Sequence, residues 1–131
     1  MLPLEGIRVI DFTTWVFAPA AGAMLGDWGA DVIKIEDPTT GNPQRAIVSV
    51  AGHDVPEINF PWELDNRNKR SMAIDLRIKE GRDILYGLIE DADIFVSNLQ
   101  SKALKKLSLE YETLSKINPR LIYAHGTGYG N

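Results

Sequence analysis

The chain has 131 residues, a formal net charge of −4 at pH 7 and no cysteine, which together predict one cysteine-free domain spanning residues 1–131. The acidic balance disfavours nucleic acid as a partner, and the absence of cysteine excludes disulfides and Cys-based zinc sites. No apolar stretch approaches the ~20 residues that span a bilayer and no signal-peptide pattern is present, so we expect a cytoplasmic protein without a membrane partner.

The stretch 6–38 reads as a strand, a crossover helix and a second strand. The runs at 7–12 and 32–35 are short, apolar and β-branched, as buried strands are. Between them, apolar residues recur at the spacing of one helical face, at Phe17, Ala21, Met24, Leu25 and Trp28. Pro19 fits a first helical turn, and Gly29 suits the left-handed position after a helix. We therefore expect a right-handed βαβ unit.

Turn-forming residues predict a loop at 39–45, and the stretch 46–68 is expected to stay irregular because Gly52, Pro56 and Pro61 interrupt it. The basic segment 66–70 is interpreted as a turn. The remaining predicted elements are a third strand at 71–76, a helix at 79–91, a fourth strand at 92–97, helices at 102–107 and 109–117, and a fifth strand at 121–124. Ser108 is the predicted N-cap of the last helix.

Strands that alternate with helices predict an α/β, Rossmann-like domain with a mostly parallel sheet and helices on both faces. Ligands of such sheets bind beyond the carboxyl ends of the strands. Those ends fall at 13–17, at Asp37, at 98–100 and at 126–130, and we expect them to converge.

Local chemistry narrows the function only in part. The turn T-T-W-V-F-A-P lacks the G-x-G-x-x-G fingerprint, which disfavours a nicotinamide-dependent dehydrogenase although Glu36 stands where a ribose-binding acid belongs.

The other candidate residues are each given a structural interpretation. His53 and His125 are interpreted as loop or packing residues, and Asp11 as an acceptor for backbone donors. The basic turn at 66–70 is interpreted as solvated rather than phosphate-binding, and the glycine-rich end is either a ligand loop or an ordinary one. No catalytic residue and no metal site is predicted.

A series of motifs carries a resemblance along nearly the whole chain. They are L-x-G-I-R-V-I-D-F at 4–12, A-P-A-A-G at 18–22, W-G-A-D-V-I-K-I-E at 28–36, G-N-P-Q-R at 41–45, N-K-R-S at 68–71, I-D-L-R at 74–77, E-G-R at 80–82, A-D-I-F-V-S-N at 92–98, I-N-P-R-L-I at 117–122 and T-G-Y-G at 127–130. In this order they resemble the class III CoA-transferases. This family is also called CaiB/BaiF-like and includes formyl-CoA transferase and carnitine CoA-transferase. The stretch 101–114 looks most like the branch that acts on 2-hydroxyacyl-CoAs, including the phenyllactate enzymes.

The resemblance implies that coenzyme A, as acyl-CoA substrate, is bound by four segments and one further cation. The implied residues are Val16, Phe17, Ile74, Asp75, Leu76, Arg77, Asn98, Leu99, Gln100, Lys106, Thr127, Gly128, Tyr129 and Gly130. Lys106 stands where the family has an arginine near the phosphates, which keeps the charge but loses the bidentate fork. Asp37 replaces another family arginine, which exchanges a cation for an anion.

The resemblance also implies a reaction. CoA moves between an acyl-CoA and a carboxylic acid through an aspartyl-CoA intermediate, and the aspartate concerned falls beyond residue 131. The chain would then be the N-terminal portion of an interlocked homodimer and inactive alone. Two alternatives stay open, namely part of an acyl-CoA racemase of the same family and a non-catalytic CoA-binding module.

Overall fold

The computed structural model describes residues 1–47, 49–50, 52–54 and 57–130. Its elements, in chain order, are β1 (Arg8–Phe12), α1 (Phe17–Asp27), β2 (Asp31–Glu36), a 3₁₀ turn (Pro43–Ala46), β3 (Ser49–Val50), β4 (His53–Asp54), α2 (Phe60–Asn66), β5 (Lys69–Ala73), α3 (Lys79–Glu90), β6 (Ile94–Ser97), α4 (Ser101–Lys106), α5 (Tyr111–Ile117) and β7 (Ile122–His125). None of the helices within these ranges is long and apolar enough to cross a membrane.

Five parallel strands form the main sheet in the order β5-β2-β1-β6-β7, while β3 and β4 form a small antiparallel hairpin. The chain therefore builds outward from β1 in one direction and then, after β5, in the other. This is the order of a doubly wound fold, whose topological switch point lies between β1 and β6. The predicted α/β, Rossmann-like class is confirmed.

The two faces of the sheet bury different side chains. Ile10 belongs to the larger core, which also contains Leu85 and Ile89 of α3, whereas Val9 belongs to a smaller core on the other face, against which Leu25 of α1 packs. This alternation follows from the two-residue period of a strand. Helices thus cover both faces, as the strand pattern predicts.

The buried face of α1 is not the one that the apolar spacing indicates. Of that predicted face, Phe17, Met24 and Trp28 are 60%, 50% and 50% exposed. The helix instead buries its small residues, Ala18, Pro19, Gly22 and Ala23. The reason is the close approach to β1, because a Cβ at Gly22 would lie 2.5 Å from Oδ2 of Asp11. The face of α1 that packs against β1 must therefore carry small side chains, even though the hydrophobic spacing indicates a different face.

The stretch 46–68, predicted to be irregular, contains regular secondary structure. It contributes the end of the 3₁₀ turn, the β3–β4 hairpin and α2. Pro61 does not break α2 but lies in its first turn, where a proline is tolerated, and the Asn59 side chain caps the backbone N–H of Trp62 at 3.1 Å. Positions 48, 51, 55 and 56, Pro56 among them, and position 131 lie outside the described residues.

The predicted N-cap at Ser108 is wrong, because this residue ends the preceding helix. Its φ is +59°, and two bonds, from Ser108 N to Lys105 O (3.1 Å) and from Leu109 N to Leu104 O (2.9 Å), form a Schellman motif. Helix α5 begins after Glu110, its actual N-cap position.

Candidate functional site

The loops that follow β1, β6 and β7 meet at the edge of the sheet formed by the carboxyl ends of the strands, hereafter the carboxyl edge. They enclose a cavity of 290 Å³ lined by Phe17, Asn98, Leu99, Gln100, Ser101, Gly126, Thr127, Gly128 and Gly130. The Phe17 ring lies directly against Gly126, where a Cβ would lie 2.7 Å from Cε2 of that ring. The expected convergence is confirmed for these three loops.

The side chain of Asn98 binds the loop after β1 to the loop after β6. Asn98 accepts a hydrogen bond from Thr14 N through Oδ1 and donates one to Thr14 O through Nδ2, both at 2.8 Å. The next residue, Trp15, has φ +64°, a backbone conformation that residues other than glycine rarely adopt. Trp15, Val16 and Phe17 are consequently presented outward, each more than half exposed.

A buried ion cluster lies directly beneath this loop. Oδ2 of Asp11 is 2.7 Å from Nζ of Lys69 and Oδ1 is 3.5 Å from Nζ of Lys34, with all three side chains no more than 2% exposed. Burial lowers the pKa of both lysines, and the Asp11 carboxylate opposes that shift. Lys34 also donates to Thr13 O at 3.1 Å, as does Asn42 through Nδ2 at 2.9 Å.

The structure extends one interpretation of the sequence and corrects another. Asp11 does accept the Thr13 N–H, at 3.1 Å, as interpreted, but its lysine partners were missed, although a lysine within the apolar run of β2 is a readable signal. Lys69 and Arg70 begin β5 instead of forming a solvated turn. Lys69 is buried, and Arg70 pairs with Asp31 at 2.6 Å.

Glu36 is engaged by the protein itself. Its carboxylate accepts hydrogen bonds from Arg45 (2.8 Å), from the Ser71 hydroxyl (2.6 Å) and from Asn42 N (3.0 Å). Burial raises the pKa of this carboxyl, but these bonds outweigh burial and lower it to about 2. The Arg45 guanidinium lies 3.8 Å from the centre of the Trp62 ring. Glu36 therefore fastens the segment after β2 and is not free to bind a ribose.

The segment after β5 lies at the opposite end of the carboxyl edge. Ile74 and Leu76 are buried, so their side chains are not available to a ligand. Arg77 binds Asp75 at 2.8 Å and lies 3.7 Å from Asp37. Because β5 and β7 are separated by four inter-strand spacings, roughly 19 Å, 74–77 is not brought to 126–130, and only an elongated ligand would contact both.

Motif residues of α3 hold this segment in place. Arg82 donates to the carbonyl oxygens of Leu76 and Arg77, each at 3.0 Å. A Cβ at Gly81 would lie 2.0 Å from Asp75 O, so no other residue allows this helix to approach so closely. The E-G-R motif thus serves to position the segment that follows β5.

The remaining predicted residues are dispersed. Lys106 is exposed on α4, and Tyr129 is fully exposed near the end of the described chain. His125 packs, as predicted, because its Nε2 bonds to Leu99 O at 2.7 Å. The side chain of His53 is not described. Among the described residues, no cluster of three or more His, Cys, Asp or Glu side chains could hold a metal ion.

A larger cavity, of 620 Å³, is not predicted by the sequence. It lies against α4, α5 and β7 and is lined by Ser101, Leu104, Lys105, Glu110, Tyr111, Glu112, Tyr123 and His125. Burial raises the pKa of Tyr123 to about 12, and its hydroxyl donates to Leu109 O at 2.9 Å. No local motif marks these residues, because the topology alone brings them together.

Relatives and solved structures agree on the family. The chain is 40% identical over 127 residues to the cinnamoyl-CoA:phenyllactate CoA-transferase of Clostridium sporogenes, covering 96% of this chain and 31% of that protein. It is 42% identical over 130 residues to the succinyl-CoA–L-malate CoA-transferase beta subunit of Chloroflexus aurantiacus, covering 98% and 31%. The crystal structure of a CAIB/BAIF family protein from Brucella suis matches with a TM-score of 0.86 and 36% identity, covering 98% of this chain and 34% of that one.

The chain thus spans about a third of the length of the curated relatives that it matches. The family model of CoA-transferase family III matches residues 4–131, which is nearly the whole sequence. On this match and the shared fold, the chain belongs to CoA-transferase family III.

Proposed function

We propose that residues 1–131 form the CoA-binding portion of an enzyme that transfers CoA between an acyl-CoA and a carboxylic acid. Family membership supports the reaction class. The observation that carries the proposal is the cavity at the carboxyl edge, where segments far apart in sequence, around Phe17, Asn98 and Thr127, share one space. Parallel sheets bind their ligands at this edge.

In this proposal the ligand lies along the carboxyl edge. Phe17 and the glycine-rich loop 126–130 offer an apolar wall and accessible backbone to the thioester arm. The phosphates need cations, and Arg77 is already engaged by Asp75 and Asp37. Lys106 is exposed on α4, the helix that begins at Ser101, one of the residues lining the cavity. We therefore assign the phosphates to the side of Lys106.

The proposed chemistry is covalent. An aspartate carboxylate, outside these residues, attacks the thioester carbonyl, and the CoA thiolate leaves, giving a mixed anhydride. The thiolate then attacks the aspartyl carbonyl, which forms aspartyl-CoA and releases the first acid. The acceptor acid repeats these steps in reverse. In this division of labour, residues 1–131 bind and orient CoA while the nucleophile comes from elsewhere.

The proposal includes a homodimer that works in the cytoplasm. The apolar stripe of α1, with Met24 and Trp28 half exposed, supports a further protein surface against this helix, since contiguous apolar patches commonly mark interfaces. A cysteine-free sequence suits a reducing compartment.

Isothermal titration calorimetry of the chain with CoA and with NAD tests the proposal. We expect CoA to bind more tightly than NAD, because the turn after β1 carries bulky residues where a dinucleotide needs glycines. Gly126→Ala should weaken CoA binding by displacing the Phe17 ring, whereas Gly87→Ala, on α3 with no atom within 4 Å of the added Cβ, should not. NAD binding equal to or tighter than CoA binding would contradict the proposed function.

A further inference from the structure

The contact between Asn98 and Thr14 lies at the topological switch point of the sheet. The loops after β1 and β6 part here and leave a crevice in which doubly wound folds bind their ligands. Asn98 crosses this crevice with two bonds of 2.8 Å to one backbone residue, Thr14. The Asn98 amide thus binds the loop after β1: its oxygen accepts one hydrogen bond and its nitrogen donates the other.

The first turn of α1 depends on this contact for its position. The N-cap residue, Val16, has no side-chain acceptor for the first backbone N–H groups, so the helix is not capped in the usual way. Between Thr14 and Val16 stands Trp15 with φ +64°, a backbone conformation that persists only where its neighbours are held. Thr14 is the neighbour that Asn98 holds.

We propose that Asn98 is a positioning residue for CoA binding, acting through the Thr14 backbone on the orientation of Val16 and Phe17. This inference rests on the proposed function, since it concerns the same cavity. The resemblance implies that the segment 98–100 binds CoA, and this inference assigns the Asn98 side chain of that segment to the loop after β1. The amide is specific to the task, because it combines one acceptor and one donor in the spacing of a peptide group.

The experiment compares two asparagines whose side chains both donate to and accept from backbone groups, Asn98 at Thr14 and Asn118 at three residues. Asn118 donates to Ile89 O and Ala92 O, at 3.0 and 2.7 Å, at the end of the sheet remote from the carboxyl edge. Asn98→Ala and Asn118→Ala should both lower Tm. Only Asn98→Ala should raise the Kd for CoA, by about ten-fold or more, and speed hydrogen exchange of the Thr14 amide.

A second variant separates positioning from direct contact. Asn98→Asp retains the acceptor for Thr14 N but, when ionised, has no donor for Thr14 O. A protonated carboxyl restores that donor, and the ordinary pKa of an aspartate side chain is about 3.9. We therefore expect the ratio of its Kd to that of the unaltered chain to fall as the pH is lowered from 7 towards 4.5, with Thr14 exchange slowing in parallel.

Three results would overturn the inference. The first is a native Kd in Asn98→Ala despite fast Thr14 exchange, and the second is a raised Kd with Thr14 still protected, which indicates a direct ligand contact. The third is a Kd ratio for Asn98→Asp that does not change with pH. Failure of the proposed function itself is recognised separately, because the unaltered chain would then bind no CoA.

Discussion

The carboxylate of Asp11 lies 2.7 Å from the ammonium of Lys69, and both side chains are buried although 58 residues separate them. Lys34 shares the same carboxylate, so one anion faces two buried cations. Gly22 makes room for the pair, since a Cβ there would lie 2.5 Å from Asp11 Oδ2. The cluster joins β1, β2 and β5 directly below the loop of the proposed site.

Asp11→Asn is expected to destabilise the chain strongly. The substitution leaves two buried ammonium groups without their paired carboxylate, and breaking a buried pair in this way costs about 3–5 kcal/mol. Urea denaturation gives the measurement. Asp83→Asn is the control, because Asp83 pairs with Lys79 at 2.6 Å on the exposed face of α3, where such a pair is worth about 0.5 kcal/mol. Equal effects of the two variants would contradict the account.

Much of this architecture follows from the sequence. The runs at 7–12 and 32–35 have the length and β-branching of buried strands, and the helix predicted at 79–91 ends within a residue of α3. These elements are determined locally. The glycine-rich end and the loop after β1 could also be assigned to one edge, because parallel strands place all their carboxyl ends together.

Other features could not be read locally. The buried face of α1 depends on how closely β1 approaches it, which only the Gly22 contact reveals. The bonds of Asn98 to Thr14 span 84 residues, and the partners of Asp11 lie on two other strands. Long-range pairings of this kind leave no periodic trace, since each involves a single residue on each element.

Gly81→Ala should destabilise the chain and weaken CoA binding. The added Cβ would lie 2.0 Å from Asp75 O, so α3 and the segment after β5 must move apart. Gly87→Ala is the matched control on the same helix, with open space around its Cβ, and should stabilise by about 0.5–1 kcal/mol. Thermal unfolding and calorimetry with CoA measure both effects. A Gly81→Ala chain as stable as the Gly87→Ala chain would show that the approach is not tight.

Glu36 should make the chain sensitive to acid. Its pKa is lowered from 4.5 to about 2 in the folded state, so its contribution is complete above pH 4.5 and is lost as the pH falls from 4.5 towards 2. The linked free energy is about 3 kcal/mol. Glu36→Gln should flatten the loss of stability in this window, measured by urea denaturation at several pH values. Glu90→Gln, at an exposed position, should leave the profile unchanged.

Asp37 is expected to weaken the attraction of the carboxyl edge for the CoA phosphates, because its charge repels them from a distance. Its carboxylate accepts the N–H groups of Thr39 and Thr40, at 2.8 and 3.0 Å, and attracts Arg77. Asp37→Asn keeps an acceptor for the turn while removing the charge, so CoA binding should tighten, more at low salt than at high salt. Asp37→Arg adds a cation but loses the acceptor. An unchanged Kd in Asp37→Asn at every salt concentration would show that this charge does not act on the bound phosphates.

These 131 residues are expected to catalyse no acyl transfer on their own. A nucleophilic carboxylate must be accessible and unengaged, and the acids at positions that the resemblance assigns to structure or to CoA contacts are not. Asp11 is buried between two lysines, Asp37 closes its own turn, and Asp75 binds Arg77. Binding and positioning alone supply only a small residue of the rate.

The assay incubates the purified chain with an acyl-CoA and a labelled acceptor acid and follows the label into thioester. We expect none above the rate without protein, even where calorimetry shows CoA bound, because binding does not supply the nucleophile. Asp75→Asn serves as the diagnostic variant, since Asp75 is the one acid among the residues that the resemblance implies in CoA binding. Turnover that appears with the unaltered chain and disappears in that variant would mean that the nucleophile lies within residues 1–131 after all.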